Sequence, residues 1–174
     1  MPSIYYIDGY NVIHHSSLLR PLAEQDFEAA REALIEKVGR FCAVTGCQAK
    51  VVFDGRGRRT EPITPTQNFP GLEVLYSPGH QSADTIIERI VYLSSDRRSV
   101  IVVSADRGIR DLCRGLSALV MAPDNFLATI READADTRTA LERTRRPDSL
   151  LRVEQRLDDS TLARLVEIRR KLDH

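Results

Sequence analysis

Residues 4–11 read IYYIDGYN, an apolar run that stops at an aspartate and is followed by a glycine and, three residues after the aspartate, an asparagine. Short runs rich in β-branched residues and without polar alternation are typical of strands buried on both faces of a parallel sheet. Further runs occur at residues 50–53, 72–76 and 99–103, and a fifth candidate strand covers 118–121. The recurring run predicts a central, mainly parallel sheet.

Segments with apolar residues at helical spacing separate these runs. The first covers residues 27–42, with Asp26 before it as a candidate N-cap and Gly46 after it. The second covers 82–93, with Ser82 as the N-cap, and the third covers 106–116. Strand and helix therefore alternate along the first two-thirds of the chain. This order predicts an α/β fold with helices on both faces of the sheet.

The composition changes near residue 124. Residues 133–149 hold few large apolar side chains and fit either an exposed helix or a linker, whereas 158–172 shows the pattern of a terminal helix. We therefore expect one domain over residues 1–132 and a helical C-terminal extension over 133–174. Residues 55–71 form the one long irregular stretch, and loops of that length are usually functional.

The overall composition excludes several classes of protein. The 174 residues contain 25 basic and 25 acidic side chains, so the chain is not a polycationic binder of nucleic acids or membranes. No apolar run approaches the ~20 residues needed to cross a bilayer, and the first residues do not have the pattern of a signal peptide. Three cysteines without a C-x-x-C pair favour free thiols in a cytoplasmic protein.

Acidic residues stand where the predicted strands end. Asp8, Asp54 and Asp106 follow the first, second and fourth runs, so all three should lie at the carboxyl edge of the sheet, where open α/β sheets bind ligands. Asp84 lies in the first turn of the helix after Ser82, and Glu88 follows on the same helical face. Because converging carboxylates repel one another and hard cations prefer oxygen ligands, we expect a site for Mg²⁺ or Mn²⁺.

Some of these acids also have purely structural interpretations. Asp54 precedes Gly55 and could be a turn residue, Asp106 could be a helix N-cap, and Glu88 could pair with a nearby arginine. Phosphatases of the haloacid dehalogenase type need a second aspartate two residues after the first, where this chain has Tyr10. The glycine fingerprints of Rossmann and P-loop nucleotide sites are absent after the first strand.

Four segments together resemble the motifs of the NYN-domain nucleases, specifically the YacP-like branch, which is related to the PIN and 5′ nuclease superfamily. They are YYIDGYNVI at 5–13, VVFD at 51–54, SAD at 82–84 with Glu88, and VVSAD at 102–106. The resemblance implies a PIN-like three-layer α/β/α sandwich and a metal-dependent endoribonuclease. It also implies one or two Mg²⁺ or Mn²⁺ ions as cofactors.

The resemblance also assigns roles to individual residues. It implies that Asp8, Asp84 and Asp106 bind the metal, with Asn11 and Glu88 completing the catalytic set. Additional candidate acids are Asp54 and Asp111. The five-residue step from Asp106 to Asp111 turns the second side chain away from the i, i+4 position.

Two groups of arginines follow acids at the same edge. Arg56, Arg58 and Arg59 come after Asp54, and Arg107 and Arg110 come after Asp106. We expect these arginines to contact an RNA backbone, the alternative being a solvated surface. The predicted function is RNA cleavage in mRNA decay or RNA processing, with the ribosome as a further candidate partner. The competing hypothesis is a non-catalytic RNA- or ribosome-binding module that keeps the fold.

Overall fold

A computed structural model gives the structure of residues 3–55, 64–65, 69–78 and 81–145. The strands are β1 Ile4–Asp8, β2 Gln48–Phe53, β3 Thr64–Pro65, β4 Leu72–Tyr76, β5 Val100–Val103 and β6 Leu119–Met121. The helices are α1 Gly9–His15, α2 Leu19–Gln25, α3 Phe27–Thr45, α4 Ala83–Leu93, α5 Arg107–Gly115 and α6 Pro123–Arg145, and a 3₁₀ turn covers Arg97–Ser99.

The six strands form one sheet in the order β3-β4-β2-β1-β5-β6. The five longer strands are parallel, and the two-residue β3 pairs antiparallel with β4. β2, β4 and β3 lie on one side of β1, and after β4 the chain crosses to the other side of β1, where β5 and β6 lie. The predicted mainly parallel α/β/α sandwich is therefore confirmed, and its strand order reverses between β1 and β5.

Successive residues of the central strands face opposite helical layers. Ile7 and Val51 pack in a core with α1, α2, α3 and the start of α6, whereas Tyr6 and Val52 pack in a second core with α4 and α5. Asp8 follows Tyr6 by two residues in the same strand, so its side chain is directed to the layer of α4 and α5. The pleat of β1 thereby places Asp8 beside these two helices.

The predicted caps of α3 and α4 are confirmed, although α3 continues to Thr45, three residues beyond the predicted helix. The Asp26 carboxylate accepts hydrogen bonds from the backbone nitrogens of Glu28 (2.9 Å) and Ala29 (3.1 Å), and Gly46 closes α3 with a φ of 70°. Ser82 caps α4 by accepting from the backbone nitrogen of Thr85 at 3.3 Å. Local sequence signals thus fixed these helix boundaries.

The structure also contains helices that the sequence pattern did not predict. Both α1 and α2 have seven residues, too few for an apolar face to recur over two turns. Helix α6 begins at Pro123, a residue suited to the first position of a helix, and continues to Arg145, so residues 133–145 are helix rather than linker.

The chain divides into two compact units, residues 1–135 and 136–174, and the division falls within α6. In the second unit the structure describes only the helical residues 136–145. The predicted helix over 158–172 and the arginines at 56, 58 and 59 lie outside the described residues. Within the described ranges, no helix has the length and apolar character to span a membrane.

Gly9, which follows Asp8, is in close contact with the last residue of β2. A Cβ atom at this position would lie 2.2 Å from Cε1 of Phe53. The Phe53 ring is fully buried, stacks on Tyr76 with a centroid distance of 6.0 Å, and lies under the guanidinium of the buried Arg31. The glycine therefore allows α1 to start directly against β2.

Replacing Gly9 with alanine should destabilise the fold because the surrounded Phe53 ring has little room to move. We expect Gly9→Ala to lower the free energy of unfolding by about 1–3 kcal/mol, as overpacking of a core does. Gly115→Ala is the matched control, since no heavy atom lies within 4 Å of its Cβ position. Urea denaturation of both variants tests this, and equal stabilities would show that the Phe53 contact is not restrictive.

Candidate active site

Asp8 lies where β1 turns into α1, and both of its carboxylate oxygens accept hydrogen bonds. Oδ1 accepts from the backbone nitrogen of Asn11 at 3.0 Å, which makes Asp8 the N-cap of α1. Oδ2 accepts a hydrogen bond from Nδ2 of the Asn11 side chain. Asp8 is 3% exposed, so the two residues hold a buried anion in a fixed orientation.

Ser104 connects Asp8 with the loop after β5. Its hydroxyl donates to Oδ2 of Asp8 at 3.5 Å and accepts from the backbone nitrogen of Asp106 at 3.1 Å. Asp106 in turn caps α5, accepting from the backbone nitrogen of Ile109 at 3.0 Å. The ends of β1 and β5 are therefore joined through one buried hydroxyl.

Asp54 connects the end of β2 with the start of α4. Its Oδ1 accepts a hydrogen bond from the backbone nitrogen of Ala83 at 2.7 Å. Because the first amides of a helix have no partner within the helix, this bond anchors α4 to the sheet edge. Asp84, the next residue, is thereby held in the first turn of α4, close to the acids that follow β1 and β5.

Electrostatic coupling shows that the four aspartates converge. The pKa of Asp84 is raised to about 6, first by burial and then by the negative charges of Asp8 and Asp106. A hydrogen bond with Asp8 and the charge of Asp54 raise this pKa further. The carboxyl edge of the sheet, at the point where strand order reverses, therefore carries negative charge that is costly to maintain.

The donor chemistry of this edge fits a hard divalent cation, because the groups are carboxylate oxygens and their charges are mutually destabilising. Several of those oxygens, however, already accept hydrogen bonds from backbone amides or from the Asn11 side chain. Across the described ranges, no group of three or more His, Cys, Asp or Glu side chains is arranged to hold a metal ion. The acids are therefore gathered in one place, but the conformation described does not present a complete ligand set.

Two of the other predicted acids interact with residues outside the group of four aspartates. Glu88, one turn further along α4, is close enough to the buried Cys113 of α5 for its charge to raise the pKa of that thiol. Asp111 is exposed and pairs with Arg114 at 3.2 Å. The Asp111 carboxylate is therefore engaged in an ion pair on the exposed surface of α5.

The arginines of α5 differ in their surroundings. Arg107 is exposed at the start of the helix, and Nε of Arg110 is buried with no hydrogen-bond partner in the structure. Neither makes an ion pair with another described residue, whereas Arg114 pairs with Asp111. Two guanidinium groups beside the acidic edge thus remain without an acidic partner among the described residues.

An aromatic stack holds α1 in place. The Tyr10 ring lies 4.6 Å from the Phe27 ring and 5.4 Å from the His14 ring, measured between centroids, and both pairs are stacked. An open cavity of about 540 Å³ borders these three rings and three residues of α2. Because Tyr10 stands between Asp8 and Asn11 in sequence, its packing on α3 helps to fix the helix that positions both.

Two serines of this edge were not singled out from the sequence. Ser104 joins Asp8 to Asp106, and Ser77, directly after β4, accepts a hydrogen bond from the backbone nitrogen of Gly55 at 3.1 Å. Both are buried. The available signal was a small hydroxyl residue immediately after an apolar strand, the same position that singled out Asp8 and Asp54.

A family model described as the YacP-like NYN domain matches residues 5–170. The chain belongs to this YacP-like NYN-domain family. NYN domains belong to the PIN-like nuclease superfamily, and this membership supports a nuclease or RNA-related role for the YacP-like chain.

Individual relatives agree with the family assignment. The uncharacterized protein YacP of Bacillus subtilis (strain 168) is 32% identical over 87 residues, so the match spans half of the YacP-like chain and half of that relative. A crystal structure of Rae1 (YacP) from Bacillus subtilis has the same fold, with a TM-score of 0.69, 24% identity and coverage of 98% of this chain and 97% of that one. A mutant of that protein gives a TM-score of 0.68 at 24% identity, covering 82% of each chain.

The raised pKa of Asp84 predicts a pH-dependent cost to stability. The folded chain holds this proton more tightly than the unfolded chain, whose carboxyl has a pKa near 3.8, so stability is lost as pH rises through about 6. We expect Asp84→Asn to raise the free energy of unfolding by about 1–2 kcal/mol at pH 7.5, after allowance for solvent screening, and to change it little at pH 4.

Urea denaturation in the presence of a chelator at both pH values measures this effect. Asp111→Asn is the control, because that acid is exposed and paired with Arg114, and it should show no such pH dependence. An Asp84→Asn variant with the same stability difference at both pH values would mean that neither burial nor the neighbouring carboxylates raise the pKa of Asp84 in the folded chain.

Proposed function

We propose that the chain is a metal-dependent endoribonuclease that hydrolyses phosphodiester bonds of RNA at the carboxyl edge of its sheet. The single observation that carries this proposal is the convergence of aspartates where strand order reverses: Ser104 links Asp8 to the loop of Asp106, and Asp54 holds the start of the helix that carries Asp84. Ligand sites of open α/β sheets lie in this crevice. Membership of a nuclease superfamily, whose PIN-like members typically use divalent metals, supports the same reaction.

Asp8, Asp84 and Asp106 are the residues that would hold Mg²⁺ or Mn²⁺. A bound divalent cation supplies positive charge for the phosphate and for the leaving oxygen. Asn11 keeps the Asp8 carboxylate in one orientation through two hydrogen bonds. Ser104 positions Asp8 and the start of α5 relative to each other. Glu88, on the same helix as Asp84, completes the proposed catalytic set.

The cations for the RNA backbone come from the loops and helix that leave the same edge. Arg107 and Arg110 are without acidic partners among the described residues, which leaves their charge available for phosphates. The proposal includes Arg56, Arg58 and Arg59, which follow Asp54 in sequence. It also places the activity in cytoplasmic mRNA decay or RNA processing, with the ribosome as a candidate platform.

Replacing the clustered acids with asparagine should abolish cleavage while keeping the fold. Asparagine caps a helix about as well as aspartate, so Asp8→Asn and Asp106→Asn should keep α1 and α5 intact. We expect each variant to lose about 100-fold or more in the rate of single-stranded RNA cleavage in Mn²⁺, the scale seen when one group that stabilises transition-state charge is removed. A chelator should abolish cleavage by the unmodified chain.

Asp111→Asn is the matched control. Asp111 lies on α5, the helix that Asp106 caps, and it is already paired with Arg114. It should cleave at the unmodified rate, and thermal melting should show that all variants are folded. Cleavage that survives in both Asp8→Asn and Asp106→Asn would refute the proposal. RNA binding without cleavage by the unmodified chain would instead establish the non-catalytic alternative.

The arginines can be tested through the salt dependence of RNA binding. In an Asp106→Asn background that prevents cleavage, Arg107→Ala and Arg110→Ala should each weaken binding of single-stranded RNA. Each should also reduce the log-log salt slope by ~0.7, the value for removing one phosphate interaction from a single strand. Replacing Arg56, Arg58 and Arg59 together should reduce the slope by about three times that amount.

Arg114→Ala provides the control on the same helix. Because Arg114 already pairs with Asp111, its replacement should leave the salt slope of RNA binding unchanged. Fluorescence anisotropy at several salt concentrations gives the slopes. Equal slopes for Arg107→Ala, Arg110→Ala and Arg114→Ala would show that α5 does not face the RNA.

A further inference from the structure

Two of the three cysteines meet at the opposite edge of the sheet from the acids. Cys42 lies in the last turn of α3 and Cys47 lies between Gly46 and β2, and their Sγ atoms are 3.7 Å apart. Both precede the amino end of β2. Nearby, Gly71 precedes the amino end of β4, and a Cβ on it would lie 3.1 Å from the carbonyl oxygen of Cys47. The thiols therefore contact each other in a folded, close-packed part of the chain.

The two thiols have different surroundings. Cys42 is 2% exposed, whereas Cys47 is half-buried and reachable from solvent. The hydrogen bond between the two sulfurs lowers the pKa of Cys47 below its usual range, partial burial opposes this, and hydrogen bonds with Thr45 and the backbone lower the pKa further. The same bond and burial raise the pKa of Cys42. The more accessible Cys47 is therefore the thiol expected to ionise and react first.

This division resembles that of a redox-sensitive pair, in which an accessible thiolate reacts first and a neighbouring thiol resolves the product. A disulfide bond has an S–S length near 2.05 Å, so the sulfurs must approach by about 1.7 Å from their present separation. Side-chain rotation supplies movements of that size without unfolding. The turn at Gly46, in the left-handed conformation, brings residue 47 back over the end of α3.

We propose that Cys42 and Cys47 form a reversible dithiol–disulfide couple that hydroperoxides oxidise. The Cys47 thiolate attacks one peroxide oxygen, the O–O bond breaks, and hydroxide leaves, which gives a sulfenic acid on Cys47. The Cys42 sulfur then attacks the Cys47 sulfur, the S–O bond breaks, and the leaving hydroxide takes the Cys42 proton as water. The hydroxide of the first step takes up from solvent the proton that Cys47 released on ionising. In total the two thiols lose two electrons and two protons, and one hydrogen peroxide becomes two waters.

Cys113 provides an internal control. It is fully buried between α4 and α5, and burial together with the charge of Glu88 raises its pKa to about 11. At neutral pH it therefore stays a protonated, inaccessible thiol and should react far more slowly than Cys47.

The couple is tested by treating the reduced, full-length chain with hydrogen peroxide, removing the peroxide, and blocking the remaining thiols with N-ethylmaleimide in denaturant. The untreated chain has three free thiols, and the treated chain should keep only that of Cys113. Trypsin leaves both reactive cysteines in one peptide, residues 41–50, between Arg40 and Lys50. That peptide should lose the mass of two hydrogens and regain it with dithiothreitol.

Cysteine variants distinguish disulfide formation between Cys42 and Cys47 from unspecific oxidation of any thiol. Cys113→Ser should still form the cross-linked 41–50 peptide, whereas Cys47→Ser should keep both of its thiols at the same peroxide dose. The proposal is overturned if Cys113 is oxidised as fast as Cys47. It is also overturned if the treated chain forms intermolecular dimers, keeps all three thiols, or accumulates a sulfinic acid on Cys47 while Cys42 stays free.

Discussion

The Asp8 carboxylate accepts hydrogen bonds on both oxygens, from the backbone and side chain of Asn11, and it is almost fully buried. Holding an anion in such a place is costly unless donors surround it, and here the donors come from the first turn of α1 and from Ser104. Every other acid at the edge must coexist with this fixed charge. Burial raises the pKa of Asp84, and the charge of Asp8 raises it further.

Three of the clustered aspartates make structural hydrogen bonds in addition to their proposed chemical role. Asp8 and Asp106 cap α1 and α5, and Asp54 holds the start of α4 to the sheet. The two interpretations that the sequence left open for Asp54 and Asp106, a turn or cap and a member of the site, therefore do not exclude each other. Because a cap uses one carboxylate oxygen, the same residue still presents negative charge to the crevice.

Prediction from sequence succeeded where one strong local signal was present. The apolar runs predicted the five parallel strands, and Asp26, Gly46 and Ser82 marked helix ends that the structure confirms. The seven-residue helices α1 and α2 were missed because they are too short to show periodicity. The family and the fold were also predicted correctly from four spaced motifs.

The arrangement of the acids was less accessible to sequence. Their position after strands predicted convergence at one edge, but the bridging role of Ser104 depends on a contact between residues 96 positions apart. The i, i+4 spacing suggested that Glu88 lies on the same helical face as Asp84, and in the folded chain its charge also acts on Cys113 of the neighbouring helix α5. That interaction depends on how α4 packs on α5, which spacing along one helix does not give.

The strand order also determines when the crevice can exist. β1 is made first, but it is the central strand, and one of its two neighbours, β5, pairs Val100 with Ile4. Until that distant stretch has been synthesised, one side of β1 has no partner and its apolar residues lack half of their core. Closing so long a loop is slow compared with local helix formation. A growing chain would therefore carry Asp8 and Asp54 well before Asp106 arrives to complete the acidic edge.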